Sequence, residues 1–529
     1  MGQACRVTRP IYNSDLPSDS PQRVLDHLIR SSQRQNPAFP SPWTRWAVFC
    51  LLALLGLLIR LPQLGKRPMH TDEAVNGYIL GQLLAGQTFT YDPQDRHGPA
   101  LAAFALPLAR MQGAKMFSDL TESELRLTAV LAGSITILLF GSAVELFGFL
   151  PCVVAALLFA GAPLPLYYDR YFIHESIFVA ATFALILTGW RAVQRHSVGH
   201  AALAGACAAL MLASKETALL HFFALAVAAL FFSIWRLRGK NIGALWQPKV
   251  ALAAIAAFLL VGVMLFTWFG SNWNALAELF QAAPNFLARA GGQGHQEPSW
   301  YYAHVLTDGW SGAMIFIMAV LGFLQTVRKR MPSPYGFLVF YALLIAIVYS
   351  FIPYKTPWLA LNFWPPIALF AGLAVQSLWN LPAKYPGLRI AIRAIGILSA
   401  AVAITLIAHD TQKRVFLHPS DEANPYAYAH TSEDLLGLPA EIERLARQNA
   451  IAAPRIAVIA SDPWPLPWYL RHVAEVGFWQ PGQQPGKADF YITSTEAADQ
   501  YQSQLKDFRP QFFGVRPGVL ILLWSPAPK

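Results

Sequence analysis

The sequence predicts an all-α polytopic membrane protein with about eleven transmembrane helices, which ends in a small α/β domain. Two observations lead to this fold class. Hydrophobic residues make up 55% of the 529 residues and charged residues only 13%, roughly half the charged share of a soluble protein. A soluble domain cannot bury that much apolar surface, whereas lipid can cover it. The second observation is that the charges separate long apolar runs and become frequent only towards the C-terminus.

The apolar runs indicate where the chain crosses the membrane, because each is long enough, or nearly so, to span the hydrocarbon layer as a helix. The segment 99–112 is also apolar, but Pro107 and Arg110 interrupt it, and we interpret it as an interfacial helix. The polar, Pro-, Ser- and Arg-rich residues 1–44 predict a disordered tail. The predicted spans are 45–64, 126–147, 149–166, 171–193, 199–213, 217–235, 250–270, 311–327, 335–352, 358–379 and 390–408.

The Lys and Arg clusters between the spans predict the orientation, since positively charged loops remain in the cytoplasm. With a cytoplasmic N-terminus, every cluster falls on the same side of the membrane. No basic face emerges, so we expect no nucleic-acid partner. The clusters are Arg23/Arg30/Arg34/Arg45, Arg191/Arg195, Arg236/Arg238/Lys240, Arg328/Lys329/Arg330 and Lys384/Arg389/Arg393.

Three segments are then external: the loop 65–125, the loop 271–310 and everything after about residue 409. The sequence therefore divides into the tail, a transmembrane domain over 45–409 and an external α/β domain over 410–529. In that last domain, strands are predicted at 455–460, 488–493 and 518–524, and a capping-box pattern occurs at 431–434.

Ionisable side chains gather on the external side, where burial near lipid makes each one costly. His70, Thr71, Asp72 and Glu73 follow the first span. Thr71 or Asp72 could cap a helix that begins with Glu73. A cap explains one acid, but not two adjacent acids beside a histidine. Asp72 and Glu73 are therefore candidate catalytic residues, and His70 is a candidate substrate-binding residue.

A second group lies at the next external turn, with Asp169 and Arg170 followed by His174 and Glu175. Ion pairs such as Asp169–Arg170 or Arg126–Glu175 would only neutralise charge near lipid. The alternative is that Asp169 is a second catalytic carboxylate that faces the first loop across a shared cavity. Arg126, Arg170, His174 and Glu175 would then bind substrate.

Two shorter motifs allow a structural and a functional interpretation. His97 precedes Gly98 and Pro99, which suit a tight turn and a helix start, so His97 is either part of a turn or a binding residue. Lys215 and Glu216 are adjacent opposite charges at an external turn. Such pairs are more often structural than functional, but we include Lys215 among the candidate binding residues.

Tyr354, Lys355 and Trp358 precede a predicted span. The two aromatic residues suit the interfacial belt of a membrane protein, and Lys355 could extend its amine to the interface. Because this side of the membrane has few cations, Lys355 is also a candidate anion binder. No cysteine has the spacing of a metal site, so no metal ligands are assigned. The cofactor is open: the candidate chemistry is compatible with a divalent cation but does not need one.

Five motifs together resemble a known family. They are HTDEA at 70–74, HGP at 97–99, YYDRYFIHES at 167–176, SKET at 214–217 and PYKTPW at 353–358. In their order and topology they resemble a family of prokaryotic membrane proteins described as flippase-activity-associated or as glycosyltransferases. That family is related to the dolichyl-phosphate-mannose–protein mannosyltransferases. The resemblance runs from about residue 45 to 410, and more weakly through the C-terminal domain.

The resemblance implies the GT-C fold and sugar transfer from a polyprenyl-phosphate donor at the external face of the prokaryotic cytoplasmic membrane. It implies that Asp72 is the catalytic base, with Glu73 beside it and Asp169 as a second acid. The hypothesis is an inverting single displacement that transfers a hexose or pentose to an external glycan, lipid or protein. Lys355, Arg170 or Arg126 would stabilise the departing phosphate.

The alternative is a flippase or transport accessory that binds a lipid-linked saccharide without chemistry, and a third is a scaffold for polymer synthesis. Transporters commonly place ionisable residues near the midplane of internally repeated folds. Here the ionisable residues gather at one face and no repeat is visible, which favours the enzyme.

Overall fold

The computed structural model describes residues 40–93, 97–237, 247–290, 295–329, 334–381 and 385–527. The predicted tail therefore lies outside the described residues, apart from residues 40–44. The cations Arg238, Lys240, Arg330 and Lys384, which contribute to the predicted orientation, also lie outside them.

The described chain is mostly helical, and the predicted multi-pass membrane architecture is confirmed. Eight of its helices are long and apolar enough to span a membrane. Three other predicted spans form shorter helices, at Phe149–Gly161, Val198–Ser214 and Ala218–Ile234, so the total of about eleven spans stays a prediction. The eight long segments are Pro42–Arg60, Glu122–Phe147, Glu175–Arg195, Pro248–Phe266, Gly309–Arg328, Pro334–Phe351, Pro357–Trp379 and Gly387–Leu417.

The helix Glu122–Phe147 begins before its predicted start at residue 126 because Thr121 forms a capping box. The Thr121 hydroxyl accepts from the Glu124 amide at 3.3 Å, and the Glu124 carboxylate accepts from the Thr121 amide at 2.8 Å. Both bonds satisfy amides that the first helical turn leaves free. The cap places Arg126 one turn inside the helix.

Shorter helices form the segments between the spans. The first predicted external loop contains the helices Thr71–Leu84 and Ala100–Met111, and the loop 271–310 contains Ala275–Ala290 and Tyr301–Thr307. Pro163–Tyr168 joins two longer helices. The helix Ala100–Met111 matches the predicted segment 99–112, and its interfacial position stays a prediction.

Three arginines from two helices, Pro42–Arg60 and Glu175–Arg195, meet at Glu145, near the end of the helix Glu122–Phe147. The Arg45 and Arg195 guanidinium groups lie 3.2 and 3.0 Å from the Glu145 carboxylate, and that of Arg191 lies 3.9 Å away. Two of the predicted cytoplasmic clusters are therefore at the same end of the helical bundle. This contact is consistent with the predicted orientation.

The C-terminal part of the chain contains a mixed five-stranded sheet, with strand order β2-β1-β3-β5-β4. β1 is parallel to β2 and β3, while β5 is antiparallel to β3 and β4. The strands are β1 Arg455–Ile459, β2 Glu475–Trp479, β3 Phe490–Ser494, β4 Phe508–Arg516 and β5 Val519–Pro526, with the helices Leu438–Gln448, Leu466–Tyr469 and Thr495–Tyr501 between or before them.

The predicted strands coincide with β1, β3 and β5, whereas β2 and β4 were missed. Both missed strands are at the edges of the sheet, where less apolar surface is buried. β4 also contains Pro510, which is tolerated at an edge but weakens a strand prediction. At the predicted capping box, the Ser432 hydroxyl accepts from the Asp434 amide at 3.3 Å and starts a short 3-10 helix.

The sheet packs directly on the segment between the helices Pro42–Arg60 and Glu122–Phe147, which is predicted to be external. One apolar cluster joins Met69, Ala74 and Leu125 to Trp468 and Leu523 of the C-terminal part. Polar contacts reinforce it: the Met69 amide donates to the Tyr469 hydroxyl at 2.9 Å, and the Trp468 indole donates to Glu122 at 2.7 Å. The C-terminal part therefore fixes the position of the loop that carries Asp72.

Candidate active site

A cavity of about 650 Å³ lies between the segment 65–121, the ends of several membrane helices and the C-terminal part. Its volume is in the range typical of small-molecule binding sites. Part of its lining is apolar and includes Leu101, Leu220 and Ile352. The charged and imidazole side chains that line it are Asp72, His97, His174, Glu175, Lys215, Glu216, His295 and Asp462.

The helix Thr71–Leu84 forms one wall of the cavity. Asp72, Val75, Asn76 and Ile79 line it, and their spacing of three and four residues places them on one helical face. The Asn76 amide donates to the Phe172 carbonyl at 3.2 Å, which attaches this face to the neighbouring loop. The wall presents a carboxylate and an amide beside apolar side chains.

The cap of this helix differs from the prediction. His70, rather than Thr71 or Asp72, is the capping residue: its Nδ1 accepts from the Asp72 amide at 3.1 Å. Since Nδ1 accepts, Nε2 carries the proton and donates to the Tyr428 carbonyl at 3.2 Å. Burial lowers the pKa of His70, which agrees with a neutral ring. His70 therefore has a structural role and does not line the cavity.

Because His70 performs the capping, the Asp72 carboxylate is available to the cavity. Its side chain is 48% exposed, and its nearest basic nitrogen is His70 Nδ1 at 3.9 Å. Among the described side chains, no Lys or Arg nitrogen lies within 4.0 Å of it. Asp72 is thus an accessible acid without a permanent cation beside it.

Glu73 is completely buried and does not line the cavity. Its two carboxylate oxygens accept from Arg126 at 2.7 Å each, and one also accepts from the Phe172 amide at 2.9 Å. Burial alone would raise the pKa of Glu73, but the Arg126 guanidinium outweighs it and the pKa is lowered. Glu73 is therefore an ionised structural partner, which removes the geometric basis for its predicted catalytic role.

Asp169 is also enclosed rather than exposed to the cavity. It pairs with Arg60, which sequence reasoning missed, through an oxygen–nitrogen distance of 2.6 Å, and it accepts from the Ser176 hydroxyl at 2.7 Å. The Arg60–Asp169 pair takes the place of the alternative Asp169–Arg170 pair. A Cβ added at Gly133 would lie 2.1 Å from an Asp169 oxygen, so a glycine is needed for this close approach.

Arg126 and Arg170, both predicted to bind substrate, also lie outside the cavity lining. Besides Glu73, Arg126 donates to the carbonyls of Leu64 and Arg67 at 2.8 and 2.9 Å. Arg170 donates to the carbonyls of Arg60 and Pro62, both at 2.6 Å. These guanidinium groups fix the backbone that leads to Asp72, and an anion in the cavity would not reach them without a rearrangement.

Two ion pairs do line the cavity. The Lys215 amine pairs with Glu175, which replaces the alternative of an Arg126–Glu175 pair. His97 Nδ1 lies 2.8 Å from Glu216, which also accepts from the Tyr91 hydroxyl at 2.9 Å. Burial opposes ionisation of Glu216, but its contact with the His97 ring and these hydrogen bonds lower its pKa to about 2.

The two pairs lie close together. The His97 ring is 5.2 Å from the ring of His174, which precedes Glu175 in the chain. Burial lowers the pKa of Lys215 on its own, but Glu175 outweighs it and raises the pKa, so the amine stays charged. His97, His174, Glu175 and Lys215 are therefore brought together at the cavity as the sequence predicts.

The motif that contains Tyr354, Lys355 and Trp358 is divided between two environments. Tyr354 and Trp358 line the cavity, whereas Lys355 does not. The Lys355 amine donates to the carbonyls of Ile352 at 2.6 Å and Glu297 at 3.0 Å. Lys355 therefore does not occupy the anion-binding position that its sequence context suggested.

Sequence reasoning missed several cavity residues. The sequence pattern marks Glu216 only as the neighbour of a turn lysine and does not single out His295, although both line the cavity. Asp462 and Trp464 come from the C-terminal part, far from the other lining residues in the chain. An acid and an aromatic residue two positions apart in the Pro-rich segment 461–468 were the available signal.

The histidine and carboxylate side chains of the cavity are of the types that ligate metal ions. Within the ranges that the structure describes, no group of three or more His, Cys, Asp or Glu residues is arranged to hold a metal ion. Lys215 pairs with Glu175 and His97 with Glu216, so these cavity side chains already have partners. Asp72 and Asp462 belong to neither pair. Asp462 lies 3.3 Å from Arg516.

Part of the chain is similar in sequence to a known protein family. Residues 102–268 match the family model described as dolichyl-phosphate-mannose-protein mannosyltransferase. This range includes Lys215 and Glu175 and begins after Asp72. A search of curated proteins finds no similar sequence.

Solved structures with the same architecture cover nearly the whole chain. ArnT from Cupriavidus metallidurans, bound to undecaprenyl phosphate, is 14% identical with a TM-score of 0.59, and the similarity covers 90% of this chain and 97% of ArnT. The oligosaccharyltransferase AglB from Archaeoglobus fulgidus, in complex with an inhibitory peptide and a dolichol-phosphate, is 13% identical. Its TM-score is 0.54, with 92% of this chain and 74% of AglB covered.

At these identities the structural similarity bears on the fold alone, and the match to the family model adds a sequence relationship. Both agree with the resemblance that the five motifs indicated. Residues 102–268 are thus related in sequence to the dolichyl-phosphate-mannose-protein mannosyltransferases, and the chain is a membrane protein with the GT-C fold.

Proposed function

We propose that the chain is a membrane glycosyltransferase that moves a sugar from a polyprenyl-phosphate donor to an acceptor hydroxyl. The observation that carries this proposal is the position of Asp72, an accessible carboxylate on the wall of a cavity that also contains Lys215 and His97. The cavity thus combines an acid that is able to accept a proton with cations that are able to attract a phosphate.

In the proposed reaction the acceptor oxygen attacks the anomeric carbon of the donor sugar. The bond between that carbon and the phosphate oxygen breaks, and polyprenyl phosphate leaves with the electron pair. Asp72 takes the proton from the acceptor hydroxyl as the new bond forms. A single displacement of this kind inverts the configuration at the anomeric carbon.

Lys215 and His97 replace Lys355, Arg170 and Arg126 as the proposed phosphate partners, because they line the cavity and the other three do not. The amine of Lys215 is shared with Glu175, and the imidazole of His97 with Glu216. A phosphate that enters would compete with these carboxylates for the same hydrogen-bond donors. We place Glu175, His174, Tyr354 and Trp358 in the surrounding substrate-binding wall.

The structural neighbours support a lipid-phosphate donor, since ArnT is seen with undecaprenyl phosphate and AglB with a dolichol-phosphate. The apolar part of the cavity lining suits the first isoprene units of such a donor. We also propose that the site faces the external side of a prokaryotic cytoplasmic membrane, with the N-terminus in the cytoplasm. The domain boundaries near residues 44 and 409 are part of the same proposal.

The test is a transfer assay with purified full-length protein, a panel of radiolabelled polyprenyl-phosphate sugars and washed membranes as the acceptor source. Asp72→Asn keeps the shape of the side chain but removes the base, and we expect transfer to fall by about 10²- to 10⁴-fold. The unfolding temperature should stay unchanged, since the exposed carboxylate has few partners.

Two results would change the proposal. Transfer at the wild-type rate in Asp72→Asn would remove Asp72 from the mechanism. If the wild-type protein binds lipid-linked sugars but transfers none of them, the non-catalytic role in lipid-linked saccharide transport becomes the better explanation.

A further inference from the structure

The loop that follows strand β1 places Asp462 and Trp464 on the wall of the cavity that contains Asp72. β1 is the middle of three parallel strands, and ligands of parallel sheets bind beyond the carboxyl ends of the strands. This loop occupies that position. The C-terminal part of the chain therefore contributes directly to the candidate active site in addition to supporting it.

Trp464 is half-buried and belongs to a loop that packs closely against the helix Thr71–Leu84. Its ring lies 5.8 Å from that of Tyr78, on the helix that carries Asp72. Four residues further on, Trp468 is completely buried, and its indole donates to Glu122. A Cβ at Gly77 would already lie 3.0 Å from the Trp468 ring, so the loop and the helix are in close contact. Such packing holds a recognition side chain in place without substrate.

Asp462 gives the loop a polar group. One of its carboxylate oxygens accepts from the Trp464 amide at 3.2 Å, and the other lies 3.3 Å from Arg516. Its side chain is 50% exposed, so lone pairs stay accessible to a ligand. An ionised carboxylate accepts several hydrogen bonds, which suits hydroxyl donors.

A half-buried indole beside an exposed carboxylate matches the chemistry of a sugar ring. The flat apolar face of the indole suits the C–H face of a pyranose, and its hydroxyl groups suit the carboxylate. The loop also belongs to the sheet-containing part rather than to the membrane helices. A ligand held there arrives from the aqueous side, whereas a lipid-linked donor arrives from the bilayer.

We propose that Asp462 and Trp464 form a subsite for a carbohydrate acceptor, next to the donor site. This proposal rests on the proposed function, which it deepens by naming the acceptor class. It predicts that the full-length protein binds simple glycosides even when no donor is present. Binding and transfer can therefore be tested separately.

The experiment uses full-length protein in nanodiscs and a panel of methyl hexosides and methyl pentosides as probes. Saturation-transfer NMR should detect at least one glycoside with a dissociation constant in the millimolar range. Trp464→Ala and Asp462→Asn should each weaken that binding by about tenfold or more, while Trp464→Phe should retain most of it. The affinity for undecaprenyl phosphate should stay unchanged in all three variants.

Trp273→Ala and Asp499→Asn are the matched controls, because both residues are exposed and lie outside the cavity lining. Wild-type binding in Trp464→Ala, or no binding of any glycoside to the wild-type protein, would overturn the subsite. Weaker binding of undecaprenyl phosphate in Trp464→Ala would assign the loop to the donor instead. None of these outcomes depends on Asp72, so the proposed reaction stands or falls separately in the transfer assay.

Discussion

Asp72 and Glu73 are adjacent acids in one helical turn, yet the fold gives them opposite environments. Asp72 is about half exposed at the cavity, whereas Glu73 is completely buried against the Arg126 guanidinium. Successive residues of a helix point about 100° apart, and here that rotation directs Glu73 away from the face that carries Asp72. The difference shows that an acid pair in the sequence can divide into a candidate catalytic residue and a structural one.

The same division separates the other charged pairs. Arg126–Glu73 and Arg60–Asp169 are buried away from the cavity and hold backbone segments together, whereas Lys215–Glu175 and His97–Glu216 line it. A buried guanidinium that donates to several carbonyls cannot turn towards a ligand without leaving them unsatisfied. A substrate can therefore displace a partner more easily in the two pairs that line the cavity than in the two that are buried away from it.

The largest change is expected in stability, when the buried acid Glu73 is neutralised and compared with the exposed acid Asp72. Glu73→Gln removes the charge that compensates buried Arg126, and we expect the free energy of unfolding to fall by about 3–5 kcal/mol. Asp72→Asn is the matched control and should change it by less than about 0.5 kcal/mol. Thermal unfolding of both variants in the same nanodiscs measures the difference. Equal unfolding temperatures would show that burial does not distinguish the two acids.

A smaller change is expected in the binding of phosphate, and it distinguishes Lys215 in the cavity from Lys355 outside it. The double variant Lys215→Met/Glu175→Gln removes both charges of a cavity pair and leaves neither partner uncompensated. We expect undecaprenyl phosphate to bind about tenfold to a hundredfold more weakly. Lys355→Met is the control, because the Lys355 amine is directed to backbone carbonyls outside the cavity. A larger loss of affinity in Lys355→Met would restore Lys355 as the phosphate partner.

The smallest effect concerns pH. The pKa of Glu216 in the folded protein is about 2, below its ordinary value, so its ionised form stabilises the fold above that ordinary value. This contribution should be lost as the pH falls from about 5 towards 2. Because the His97 side chain is 35% exposed, we expect only about 1 kcal/mol. Unfolding temperatures across this range should depend less on pH in Glu216→Gln, and an unchanged dependence would contradict the pair.

Much of the fold could be predicted from the sequence. Hydropathy indicates which segments contact lipid, and the placement of cations indicates which loops lie on the same side of the membrane. The helical segments, the sheet strands β1, β3 and β5, and the gathering of His97, Glu175 and Lys215 follow from such local patterns. The partners of the buried acids did not. Arg60 lies at the end of the first span, and nothing local to that span shows that Asp169, more than a hundred residues later, pairs with it.

The contribution of the C-terminal part was also beyond prediction. An α/β domain at the end of the chain could be recognised from its strands, but its docking surface depends on side chains such as Trp468 and Tyr469. Their partners, Glu122 and Met69, lie hundreds of residues earlier in the chain. Short-range sequence patterns do not show which two surfaces, hundreds of residues apart in the chain, pack against each other.

The contact between Met69 and Thr431, whose hydroxyl donates to the Met69 carbonyl at 2.6 Å, has a consequence for biosynthesis. These residues are 362 positions apart, and at roughly 5–20 residues per second the second is made on the order of tens of seconds after the first. The segment with Asp72 therefore leaves the ribosome long before the surface against which it packs. A truncated or interrupted chain would be inserted in the membrane with an unfinished cavity, so the proposed sugar transfer would begin only after synthesis is complete.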